Sequence, residues 1–255
     1  MNYSAEEKRM FENDTERYKT NLEVKAKELI MYFFPHKTVQ LNKWLEENLP
    51  LDSISSCHQF LKENASKSSS KKPNNSSVSK EVASTSQSNT SKTTDVSNDD
   101  RLKCNKTFKK VHDFIKQELF TVRTEMNTIR MWVRTLVPKI EGGNNSGVMV
   151  QERVMSELKA IEDLNTSCVF DIKNYYMSRA KLVKKALKYP DVEDTQMSVN
   201  ENDEQHYFWC RRVVNQVRNV YFNMQDFLIK NIDSIENPRS SRADDEGEPN
   251  LFYIS

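Results

Sequence analysis

Glycine is nearly missing from this chain. It has four in 255 residues, and three of them, Gly142, Gly143 and Gly147, fall within residues 138–151. That scarcity excludes a glycine-rich phosphate loop such as GxxxxGK[ST], so no ATP hydrolysis is expected. The cysteines are Cys57, Cys104, Cys168 and Cys210, far apart and without a CxxC pair. They make neither a zinc module nor a disulfide framework, and a reducing compartment is the simpler expectation. No apolar run approaches the roughly 20 residues that span a bilayer. The first ten residues, MNYSAEEKRM, have no apolar leader core. Charge of one sign is also missing: 38 Lys and Arg stand against 37 Asp and Glu, a net +1. That excludes a global field for nucleic acid or a membrane surface. The histidines, His36, His58, His112 and His206, are scattered, with no HExxH and no Ser/His/Asp arrangement. Cys57 and His58 adjoin in sequence, but a catalytic pair needs a third group to orient it through the fold. Asp163, Asp191, Glu193 and Asp194 read as solvated carboxylates. The expectation is no catalytic residue, no metal site and no cofactor.

What the chain has is helix periodicity. With 29% charged residues and few turn formers, the composition is all-α. Residues 4–33 form the first expected helix, with Ser4, Glu6 and Glu7 at its start and Tyr18, Leu22, Ala26, Leu29 and Phe33 as its stripe. Pro35 is expected to stop or break it. A short piece over 37–49 is ended by Pro50. From residue 101 to 137 the positions Phe108, Val111, Ile115, Leu119, Val122, Met126, Ile129, Val133 and Leu136 repeat every 3 or 4 residues, a heptad-like rhythm. Such a helix is roughly 50 Å long. The next runs over about 150–187, on Val154, Leu158, Ile161, Cys168, Ile172 and Tyr175, and stops at Tyr189 and Pro190. Residues 192–202 read as a polar connector. The last long helix covers 203–235, on Val214, Val217, Tyr221, Met224, Leu228, Ile232 and Ile235, and Pro238 closes it. Four segments in up-down order make a four-helix bundle. Trp132, Phe170, Tyr176 and Trp209 lie off the main stripes and suggest packing against sister subunits.

Between the first two long helices, residues 65–100 lack aromatics and are dominated by Ser, Lys, Asn and Thr. Such a segment buries too little apolar surface to offset roughly 1–2 kcal/mol of backbone entropy per residue, so it reads as a disordered insert. The organisation is then an N-terminal helical part at 1–64, the insert at 65–100, three long helices at 101–237, and a C-terminal tail at 238–255.

Residues 138–151, PKIEGGNNSGVMVQ, join two long helices. A loop rich in Gly and Asn at the end of a bundle is either an ordinary connector or a shaped surface that presents function.

These residues, together with YYMSRAKLV (175–183), KYPDVED (188–194), IKNI (229–232), PRSS (238–241) and FFP (33–35), resemble the 11S proteasome activators, the REG family, and most of all its gamma type. The resemblance covers all but the insert and the extreme tail. It implies a heptameric ring of four-helix subunits that docks on the outer ring of the 20S proteasome without ATP. The ring would be built of identical copies or of two subunit types. The activation loop falls on Glu141, Gly142, Gly143, Asn144, Asn145, Ser146, Gly147 and Val148. The docking tail falls on Tyr253, Ile254 and the Ser255 carboxylate, which would pair with a pocket lysine. Gly143 stands where the family usually has Asp, Ser146 where it has Phe, and the chain ends in Ile-Ser where the gamma type ends in Tyr. The implied compartment is the nucleus, the cytoplasm or both. The other reading of the same residues is an oligomeric scaffold that binds without activating.

Overall fold

The computed structural model describes residues 3–52 and 105–239. The insert, Cys57, His58 and the tail residues Tyr253, Ile254 and Ser255 lie outside the described residues. The described residues are helical and contain no strand.

Helix α1 (Ala5–Glu28) opens with a capping box. The Ser4 hydroxyl accepts from Glu7 N–H, and the Glu7 carboxylate accepts from Ser4 N–H at 2.7 Å. Pro35 does not end this helix, contrary to expectation. A π-helical turn at Leu29–Phe33 lets Phe34 N–H reach back five residues to the Leu29 carbonyl. Pro35 thereby sits in the first turn of α2 (Phe34–Asn48), where a missing N–H leaves no bond unmade. The chain keeps its direction through the proline. Tyr18 also departs from the stripe. It is exposed, as are residues 3–21 throughout, and burial begins at Leu22.

Helix α3 (Lys106–Leu136) starts on Asn105, whose side chain accepts from Thr107 and Phe108 N–H. Its stripe is buried from Phe108 to Val133 as read from the sequence. Trp132 is buried too, because α3 packs on more than one neighbour and its apolar face is wider than the stripe. Trp132 is therefore core in its own subunit. Phe170 is exposed, while Tyr176 and Trp209 are half-buried.

Helix α4 (Ser146–Lys188) and helix α5 (Glu193–Lys230) are the longest. Residues 193–202, expected as connector, are the first turns of α5. Glu193 and Asp194 favour its positive end, and the Thr195 hydroxyl donates to the Val192 carbonyl at 2.7 Å. Periodicity hid this stretch because two of its three buried positions, Thr195 and Asn200, are polar and only Val199 is apolar. Asp203 is fully buried, accepts from the Tyr175 hydroxyl at 2.9 Å and pairs with Arg179 at 2.9 Å. Helix α5 breaks at Asn231, and a short α6 (Ile232–Glu236) buries Ile235.

The α1–α2 rod packs on α3 and α5, and α4 packs on the same two, giving an up-down four-helix bundle. Val183, Ala186 and Val199 form a small second cluster where α4 and α5 meet beyond the main core. One end of the bundle carries the α3–α4 loop, α6 and Pro238. The other carries Leu49, Asn105 and Tyr207, whose hydroxyl donates to the Pro50 carbonyl.

Candidate functional site

Val137, held extended at ψ 120° by the proline after it, turns the chain out of α3. Residues 137–145 form the loop. Glu141, Gly142, Gly143, Asn144 and Asn145 are all exposed, and Ile140 is wholly so. Gly143 has φ 121°, a conformation that L side chains rarely adopt, so its lack of Cβ is used. The Asn144 side chain accepts from Ser146 N–H at 2.9 Å and starts α4.

Ser146, Gly147 and Val148 correct the expected loop boundary, since all three belong to the first turn of α4. Gly147 is buried, and its role is close approach rather than positive φ. A Cβ there would overlap the Pro238 backbone.

Three contacts seat the loop on the segment leading into the C-terminal tail. Pro238 lies on Gly147. Gln151 is fully buried, and its amide donates to the Ile235 carbonyl at 2.8 Å and to the Leu136 carbonyl at 3.3 Å. Arg239 donates to the Glu141 carboxylate at 2.9 Å and to the Lys139 carbonyl at 2.6 Å. The last turn of α3, the first turn of α4 and the tail root thus form one braced unit. No role for Gln151 or Arg239 follows from motif reading. The available signal for Gln151 was its register, three residues before Val154, which places a polar side chain at a core position.

The structure also corrects the reading of scattered histidines. His112 and His206 meet in the core with their Nε2 atoms 2.6 Å apart, and Cys210 lies beside them. Burial lowers His112 to about 4 and His206 to about 3. His36 is exposed and takes no part. Asp163, Asp191, Glu193 and Asp194 are exposed.

The bundle and its loop define a helical subunit that presents one braced surface element next to the start of its tail. Two family models match the chain: proteasome activator PA28, N-terminal, over residues 12–62, and proteasome activator PA28, C-terminal, over residues 101–245. Human proteasome activator complex subunit 3 is 41% identical over 143 residues, 56% of each chain. Proteasome activator 28 of Dictyostelium discoideum is 31% identical over 145 residues, 57% of this chain and 64% of that protein. The chain spans about half the length of the curated relatives it matches. The crystal structure of the 11S subunit of the Plasmodium falciparum proteasome, PA28, shares the fold with a TM-score of 0.67 at 24% identity, covering 91% of this chain and 95% of that one. The chain belongs to the PA28 proteasome activator family.

Proposed function

We propose that this chain is a non-catalytic subunit of a heptameric ring that docks on the 20S proteasome and opens its gate without ATP. The observation that carries this reading is the braced loop. Its exposed tip, Glu141–Asn145, is fixed to the tail root through Gln151, Pro238 and Arg239. A subunit held over the pore by its tail would therefore present the loop as a fixed element. Tyr253, Ile254 and the Ser255 carboxylate supply affinity, and several weak tails acting together give avidity that one alone would not. Glu141–Asn145, followed by Ser146, Gly147 and Val148 in the first turn of α4, supply the push on the gate. Exposed Tyr32, Phe120, Phe170, Phe208 and Phe222 provide apolar surface for neighbouring subunits, as a closed ring of heterologous contacts requires. The gamma-type motifs favour a homo-heptamer working in the nucleus, with the cytoplasm as the second site.

The test is hydrolysis of short fluorogenic peptides by purified 20S proteasome, with and without this protein and with ATP absent. Stimulation that disappears on removal of Tyr253–Ser255 supports gate opening. An intact ring that gives no stimulation overturns it and favours the scaffold reading.

A further inference from the structure

We propose that His112, His206 and Cys210 form a site for a borderline-soft divalent metal ion, best matched by Zn2+, which clips α3 to α5 at the end of the bundle remote from the loop. The proposal is independent of gate opening. His206 and Cys210 are four residues apart on α5, so their side chains share one helix face. His112 reaches them from α3. The three donor atoms lie within 4.8 Å of one another, and all three residues are buried.

The imidazoles are held for this task. His206 is sandwiched between Tyr175, stacked at 3.7 Å and 10°, and Trp209, stacked at 4.9 Å and 11°. Phe108 packs edge-on against His206 and Tyr175. The two imidazole planes stand at 78°, so the rings do not stack on each other and their Nε2 atoms face one another. The Tyr176 hydroxyl lies 2.8 Å from His112 Nδ1. A proton on that Nδ1 directs the Nε2 lone pair inward, as an outer partner does for a metal-bound histidine. Both rings are neutral at ordinary pH because burial disfavours the imidazolium, and neutral imidazole is the ligating form.

The ion must fit. Zn–N bonds of about 2.0–2.1 Å at a tetrahedral angle separate two nitrogens by about 3.3 Å. The present 2.6 Å therefore has to open by less than ~1 Å, while Cys210 Sγ closes in. In the metal-free protein one proton lies between the two Nε2 atoms. Metal entry shifts it to the Nδ1 of the ring that carries it, so that both imidazoles stay neutral, and releases the Cys210 thiol proton to solvent. Two nitrogens and one thiolate suit zinc, whereas calcium and magnesium require oxygen donors. The fourth ligand is left to a solvent molecule.

The test uses full-length protein stripped with chelator and titrated with Co2+, then Zn2+. One Co2+ per chain is expected, with a sulfur-to-cobalt charge-transfer band and tetrahedral ligand-field bands that Zn2+ abolishes. Cys210→Ser should remove the charge-transfer band. Tyr176→Phe, outside the ligand set, should weaken affinity by about 10- to 100-fold while circular dichroism stays unchanged. Wild-type protein that takes up neither ion overturns the proposal without any variant. So does a cobalt spectrum with no sulfur band, or one that survives Cys210→Ser unchanged.

Discussion

Arg239 and Glu141 are 98 residues apart in sequence and 2.9 Å apart in space, and the bond between them ties the tip side of the loop to the root of the tail. Glu141 is largely exposed at 63% and Arg239 less so at 29%. An ion pair of this kind contributes at most about 1 kcal/mol to stability. Its value is positional, because the same guanidinium also holds the Lys139 carbonyl.

Arg239→Ala should therefore leave the melting temperature within a few degrees of wild type and leave tail docking intact. Peptidase stimulation should fall severalfold because the loop loses its fixed height. Binding to 20S proteasome by surface plasmon resonance, measured beside peptide hydrolysis, separates the two effects. A parallel loss of binding would mean that Arg239 acts through the tail rather than the loop.

Gly147→Ala tests the seat of the tail root. In an open helix position this change stabilises by about 1 kcal/mol. Here the new methyl meets the Pro238 backbone, which cannot rotate away as a side chain could. Overpacking costs about 1–3 kcal/mol, so the expected net effect is destabilising. Gly142→Ala is the control, since nothing lies within 4 Å of its added Cβ. Urea unfolding of the two variants should place them on opposite sides, or at least clearly apart. Equal midpoints would refute the close approach.

Much of this architecture was legible in residue spacing, and the failures share a cause. The α3 stripe from Phe108 to Val133 is continuous in apolar residues and was read correctly. The start of α5 was not, because Thr195 and Asn200 occupy core positions that a hydrophobic pattern scores as surface. Asp203 and His206 are buried polar residues further along the same helix. Their burial is tolerated only through partners on α3 and α4, and those partners are far away in sequence. Pro35 misled for a different reason. Its meaning depends on the π-turn before it, a backbone choice that no residue type announces. At the loop, the glycines marked the place, but whether each served φ or close approach depended on Pro238, 91 residues beyond Gly147.

The Asp203 network predicts a large effect where surface pairs predict a small one. Asp203 is fully buried, and Arg179 is only 12% exposed. Burial, with Asp203 beside it, also pushes the Tyr175 hydroxyl up. Asp203→Ala leaves the Arg179 guanidinium poorly paired and removes the acceptor of Tyr175, for an expected loss of about 3 kcal/mol. Arg123→Ala removes a pair whose arginine is 60% exposed, and should cost no more than about 1 kcal/mol. Calorimetry on both, in low and in high salt, checks the contrast. The Arg123 contribution should shrink with salt, and the Asp203 contribution should persist.

Asn145 offers the most direct trial of the loop assignment. It precedes α4 in its sequence position but makes no side-chain cap bond, and its φ of −119° is open to any residue. Its neighbour Asn144 performs the capping instead, through Ser146 N–H. Asn145 is exposed, so Asn145→Tyr should change stability by no more than about 0.5 kcal/mol and leave oligomerisation untouched. Whatever it does to activity must then arise outside the subunit, at the contact proposed for the loop. The expected result is a ring that still binds 20S proteasome with wild-type affinity and competes with the unmodified protein, yet stimulates peptide hydrolysis little or not at all. Full stimulation by this variant would move the gate-opening contact away from residues 141–148 and leave the tail as the sole working element.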